Sequence, residues 1–404
     1  MLGFSRRSTL LVIATCGLKV IATTLVPFYS PRAWSGDFFN WVSGAQSVFI
    51  TLSTGNLPSI ASTGAYTGLM VVLAPFFWLW TIAPIPHPTL VEMAATPSNS
   101  EYLLVLIMKI PIILSDLLVG IVTSLIVQRT TRSDMVAQKA FFAWYLNPFN
   151  LFWMYYFGGF DVLPTLVLLL AALFGNKNQW VRSGFCLAGA SLLRLFPVLL
   201  FPFFLIYSSR EGSRSCLKLL TSFFVPIVVV FLSQLYVTNS VRTLVTTIVE
   251  VPLRQFWLLK YLGFSITAGL FLLAPFLLLV QLFLTRAFWR NHPTFSLVHF
   301  CMAPLLALFV GSYHNPYHFL WVSPFLSAYY ALEKNGLLLY VWIFLSASLY
   351  SFGWDVSLPL WIIQPLLAGT FFGFKAVYLV KLNFEALKSR ILDMLRFHDL
   401  NFQT

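Results

Sequence analysis

The sequence predicts an all-α fold, a polytopic transmembrane bundle of about ten to twelve helices with a long first extracytoplasmic loop. Three observations predict it. Of 404 residues, 59% are hydrophobic and only 9% are charged, whereas soluble domains carry about 25% charge. Runs rich in Leu, Phe, Val and Ile recur from end to end, each approaching the ~20 residues that cross ~30 Å of hydrocarbon. The basic residues fall in short loops between those runs. The net charge of +12 therefore reads as membrane topology and not as a nucleic-acid partner.

Apolar runs lie at 8–28, 103–127, 140–157, 160–175, 183–197, 198–209, 219–237, 264–285, 295–312, 317–332, 336–352 and 358–380. The opening, with Arg6 and Arg7 before an apolar stretch, has the form of a signal peptide, and Ser5-Arg6-Arg7 faintly resembles a twin-arginine signal. With so many spans following, it reads as a retained first helix. The short, Pro-interrupted pair 183–197 and 198–209 predicts broken helices. With the N-terminus inside, the inner loops receive Arg6, Arg7, Arg129, Arg132, Lys139, Lys177, Arg182, Arg210, Arg214, Lys218, Arg286, Arg290, Lys334, Lys381, Lys388, Arg390 and Arg396. The outer loops receive only Arg32, Arg242, Arg254 and Lys260. That imbalance puts both termini in the cytoplasm, in a cell or endoplasmic reticulum membrane.

Residues 1–380 form one transmembrane domain, and 381–404 a cytoplasmic tail. In the tail, Leu382, Phe384, Leu387, Ile391 and Leu395 against Lys388, Arg390 and Asp393 predict an amphipathic helix on the inner surface. The first outer loop, 29–102, holds an amphipathic stretch from Phe38 to Leu52 and an apolar run from Met70 to Ile82. The latter is followed by Pro84, Pro86 and Pro88 and reads as re-entrant or surface-lying. Irregular backbone near a membrane needs protein or a water-filled cavity beside it, so this loop is expected to build a cavity. Cys16, Cys186, Cys216 and Cys301 are far apart and show no metal-ligand or disulfide spacing.

Ionisable groups at membrane depth are expensive and are functional candidates by default. Asp37, just beyond the first span, is placed to act as a general base on an attacking hydroxyl; the structural alternative is a cap for the helix starting at Phe38. Lys109 and Asp116, seven apart on one helix face, suit a phosphate or an internal ion pair. Asp161, in Phe157-Gly158-Gly159-Phe160-Asp161, suits sugar hydroxyls or a helix cap. Arg194, in Leu193-Arg194-Leu195-Phe196-Pro197, suits a phosphate at a broken helix end, or a structural carboxylate partner. In Tyr313-His314-Asn315-Pro316-Tyr317-His318, Pro316 argues against a helical metal pair. His314 and His318 then read as head-group or acceptor contacts, or as a plain interfacial turn.

In order and spacing, the chain resembles the GT-C superfamily of polyprenyl-phosphate-sugar-dependent glycosyltransferases, most closely the PIG-M-type mannosyltransferases of GPI-anchor synthesis and their prokaryotic relatives. Ser35-Gly36-Asp37-Phe38 is similar to that family's D-x-D followed by an aromatic, with the second aspartate only. Lys109 with Ser115-Asp116-Leu117-Leu118, Trp144-Tyr145-Leu146-Asn147-Pro148 with Gly159-Phe160-Asp161, Arg194-Leu195-Phe196-Pro197 with Phe201-Pro202, and His318-Phe319-Leu320-Trp321 with Pro324 follow in the family's order. Arginine stands at 194 where the family has lysine.

The resemblance implies an inverting transfer of a hexose, mannose first among candidates, from a polyprenyl- or dolichyl-phosphate donor to a lipid-linked or glycolipid acceptor on the extracytoplasmic side. Asp37 is then the catalytic base. Lys109 and Arg194 hold the donor phosphate, and Asp116, Asp161, His314 and His318 contact substrate. No cofactor beyond the donor is implied, and with the first aspartate missing a divalent metal is unsupported. Membrane lipid and lipid-linked sugar are the expected partners, a small membrane subunit being a further candidate. A lipid-linked-sugar flippase or secondary transporter also tolerates such charges, but favours short loops on both sides and paired broken helices.

Overall fold

The computed structural model describes residues 6–29, 37–54, 67–84, 99–156, 159–194, 196–238, 297–311, 316–333, 336–338, 340–341 and 343–345. The runs expected at 264–285 and 358–380, the tail helix at 381–397, most of 336–352 and His314 lie outside the described residues. Among the described residues the chain is all-helical, with no strand.

Helix α1 spans Arg6–Tyr29. Within the long loop, α2 (Asp37–Thr54) and α3 (Thr67–Thr81) pack on each other as a hairpin. The apolar run 70–82 thus forms most of a helix that also packs against the fourth and eighth helices below. Helix α4, Asn99–Thr131, is the longest of the described helices and carries Pro111 inside it. It is the post around which α1, α3, α5, α7 and α12 gather.

Ser133 starts α5 (Asp134–Tyr145), its hydroxyl accepting from the Val136 amide; Arg132 makes the tight reversal at φ 55°. The run 140–157, expected as one helix, is in fact three pieces. Helix α5 stops before Asn147-Pro148, where the proline lacks an N–H and disfavours helical backbone at the residue before it. Asn147 then caps the next turn, its side-chain oxygen accepting from the Phe149 and Asn150 amides. A single α-turn, α6 (Pro148–Leu151), widens into a π-turn over Phe152–Tyr156.

Helices α7 (Val162–Gly175) and α8 (Trp180–Leu193) form a tight antiparallel pair. The expected break follows α8: a 3-10 segment at Phe196–Leu200, α9 at Phe201–Ser208, and a second 3-10 turn at Ser209–Glu211. Pro197 explains it, because its ring would strike the carbonyl four residues earlier in a continuous helix. Helix α10 runs Ser213–Thr238, and α11 Leu297–Gly311. A 3-10 turn at Pro316–Trp321 leads into α12 at Ser323–Leu332.

Among the described residues, two segments are long and apolar enough to cross a membrane, Leu103–Thr131 in α4 and Ser213–Ser233 in α10. The core between the helices is strongly aromatic, with Trp144, Trp180, Tyr145, Phe141, Phe160, Phe203, Phe204, Phe300 and Phe325 fully buried. Large apolar side chains also face outward: Leu10, Ile13, Leu18 and Ile21 on α1, Val225, Val228, Val229 and Leu232 on α10.

Candidate functional site

The site is built at the helix break. Because α8 ends at Leu193, Arg194 takes extended backbone (φ −150°, ψ 140°) and leaves the helix line, while its amide still donates to the Ala190 carbonyl. A cation at this position also suits the negative end of the α8 dipole. Its guanidinium meets the Asp161 carboxylate with two nitrogens, Nε at 2.8 Å from Oδ1 and Nη2 at 3.0 Å from Oδ2. Such a planar fork is what arginine offers and lysine does not. The pair is buried, Arg194 5% and Asp161 1% exposed.

Asp161 stands at the N-terminal cap position of α7, yet its side chain makes no cap hydrogen bond. Its carbonyl accepts from the Thr165 amide and hydroxyl. The carboxylate is turned instead to Arg194 and to the Trp321 indole, whose Nε1 donates to Oδ1 at 2.9 Å. Trp321 stacks on Phe196 (centroids 3.8 Å) and on His318 (4.4 Å). The start of α7, the end of α8 and the 3-10 turn before α12 thus meet at one carboxylate.

The hairpin of the long loop closes over this pair. Trp41 of α2 lies 4.8 Å from the Arg194 guanidinium carbon, a cation–π contact, and packs edge-on to Phe160. Asp37, the first residue of α2, is four residues before Trp41, one turn away on the same helix face, about 6 Å along the axis. Side-chain contacts of Asp37 lie outside the described residues. Helix α3 is seated by Gly68, whose missing Cβ leaves room for the Leu192 carbonyl two residues before Arg194.

A second buried centre lies along α4. Asp116, the acidic half of the spaced pair, takes the Lys19 ammonium of α1 at 2.5 Å. It also accepts from the Tyr155 hydroxyl at 2.7 Å and the Trp144 Nε1 at 2.8 Å. The Lys19 ammonium rests 3.1 Å from the Tyr145 ring centroid. Lys109 does not meet Asp116; its ammonium donates to the Tyr155 carbonyl at 2.5 Å.

The structure therefore brings Asp161 and Arg194 together, with His318 stacked on their neighbour Trp321 and the backbone of Asp37 one turn from Trp41, which lies against Arg194. Lys109 and Asp116 belong to the second centre, and His314 lies outside the described residues. Sequence reasoning passed over Lys19, although a lone lysine inside the apolar run 8–28 is the same signal that singled out Lys109. Tyr155 and Trp41 carried no comparable signal, because aromatic residues are common throughout the chain. Among the described residues no cluster of three or more His, Cys, Asp or Glu side chains is arranged to hold a metal ion. Compared with protein families, curated proteins and solved structures, the chain matches none.

Proposed function

We propose that the chain is a polytopic integral membrane glycosyltransferase, moving a hexose from a polyprenyl- or dolichyl-phosphate donor to a lipid-linked or glycolipid acceptor at the extracytoplasmic face. One observation carries the reading: α2, which begins at Asp37, lays Trp41 over the buried Arg194–Asp161 pair at a broken helix end. Asp161, Arg194 and Trp41, from three parts of the chain, converge there. The outward-facing apolar residues of α1 and α10 support a membrane setting, and mannose is the sugar the family resemblance favours.

In this mechanism Asp37 takes the proton of the acceptor hydroxyl as its oxygen bonds to the anomeric carbon. The bond from that carbon to the phosphate oxygen breaks, and the polyprenyl phosphate departs with the electron pair. Arg194, oriented by Asp161, stabilises the charge that develops on it. A phosphate leaving group needs little protonation, so one carboxylate suffices, unlike the pair used in glycoside hydrolysis.

Purified protein in detergent, given radiolabelled polyprenyl-phosphate sugars and a membrane extract, should label a lipid product, and Asp37→Asn should abolish it. Normal turnover in that variant removes Asp37 from the chemistry. The Lys19–Asp116 pair inside α1 and α4 is the observation that favours a flippase or transporter. That rival predicts no labelled product in detergent, where no compartments exist to transport between.

A further inference from the structure

We infer that Lys109 and Asp116 hold Tyr155 by its two ends, and thereby position the short connection that delivers Asp161 to Arg194. They are positioning residues and not contacts to the donor phosphate. The inference rests on the glycosyl-transfer reading above and changes the assignment of two charges within it.

The geometry is specific. The Tyr155 hydroxyl donates to Asp116, and the Tyr155 carbonyl accepts from Lys109. Tyr155 sits in the π-turn, and the last carbonyls of any helix lack intrahelical partners. Lys109 supplies the partner for this one. Downstream, the Gly159 amide bonds back to the Trp153 carbonyl at 3.0 Å, and Phe160 is buried against Trp41. Asp161 then reaches Arg194 and Trp321. The connection is thus gripped upstream by the Asp116–Tyr155–Lys109 arrangement and downstream by Arg194.

Stability is a poor reason to bury these charges. Lys109 is 2% exposed and Asp116 fully buried, and buried ions are commonly replaceable by apolar groups without loss of stability. Directional bonds to both ends of one residue do what apolar packing does not: they fix the rotation and register of the turn before Asp161. A displacement of about 1 Å at a reacting group can cost about a hundredfold in rate.

The test uses the full chain in lipid nanodiscs, with Tyr155→Phe as the mild variant and Lys109→Met as the severe one. Two readouts are taken: hydrogen exchange of peptides covering 153–165, and donor kcat and KM. Expected is faster exchange in that segment with α10 unchanged. With it, kcat falls about tenfold for Tyr155→Phe and about a hundredfold for Lys109→Met at unaltered donor KM. A raised donor KM in Lys109→Met, with kcat and exchange as in the parent, makes Lys109 a phosphate ligand and overturns the inference. If the parent transfers no sugar, the enzyme reading fails by itself, and unchanged exchange in both variants still sinks the positioning role.

Discussion

Arg194 and Asp161 are 33 residues apart, and each is intelligible only through the other. Removing one partner of a buried ion pair leaves an uncompensated charge, costing about 3–5 kcal/mol. Arg194→Ala should therefore destabilise the protein by that order, since the Asp161 carboxylate loses its guanidinium and keeps the neutral Trp321 indole as a donor. Arg194→Ala combined with Asp161→Asn should recover much of the loss, because no bare charge remains. Thermal melts of the two variants in detergent check it, and a double variant as unstable as the single one would show that the pair is not energetically coupled. At this scale the sequence disclosed which side chains are unusual but not what they touch. Arg194, Asp161, Lys109 and Asp116 stood out as ionisable groups in apolar runs, and all four are buried. Their partners were hidden because pairing is long-range: Asp116 bonds Lys19, 97 residues away, and passes over Lys109 two turns along its own helix.

Helices α8 and α10 approach through Gly184. A Cβ there would strike the Ser222 hydroxyl and come within 2.8 Å of the Leu219 carbonyl. The hydroxyl can rotate, since it already shares the Lys218 and Leu219 carbonyls, but a backbone carbonyl moves only if its helix moves. Gly184→Ala should therefore cost about 1–3 kcal/mol, the usual range for overpacking, and Gly184→Ala with Ser222→Ala should restore only part of it. Full recovery in the double variant, by thermal melt, would mean that the hydroxyl alone was in the way. The break after α8 was legible because the pair 183–197 and 198–209 is short and interrupted by proline. The break at Asn147-Pro148 was written just as plainly in the residues. Hydropathy alone hid it, because the run stays apolar on both sides while the backbone changes from α to π geometry.

At the scale of the molecule, burial and composition pull apart. The Ser213–Ser233 segment is apolar enough to span a membrane, yet little of it is buried. An apolar helix that leaves so much of its surface uncovered in water would drive association; against lipid tails the same surface carries no penalty. On the charge asymmetry of the sequence, Lys177 in the α7–α8 turn and Arg182 in the first turn of α8 are expected in the cytoplasm and Asp37 on the opposite side. In a background with Cys16, Cys186, Cys216 and Cys301 replaced by serine, Ser35→Cys should react with a membrane-impermeant maleimide in intact cells. Lys177→Cys should react only after permeabilisation. Reaction at 177 in intact cells, with 35 protected, inverts the topology. The acid at 37 would then face the cytosol, away from any flipped lipid-linked sugar, and the glycosyl-transfer reading would fall with it.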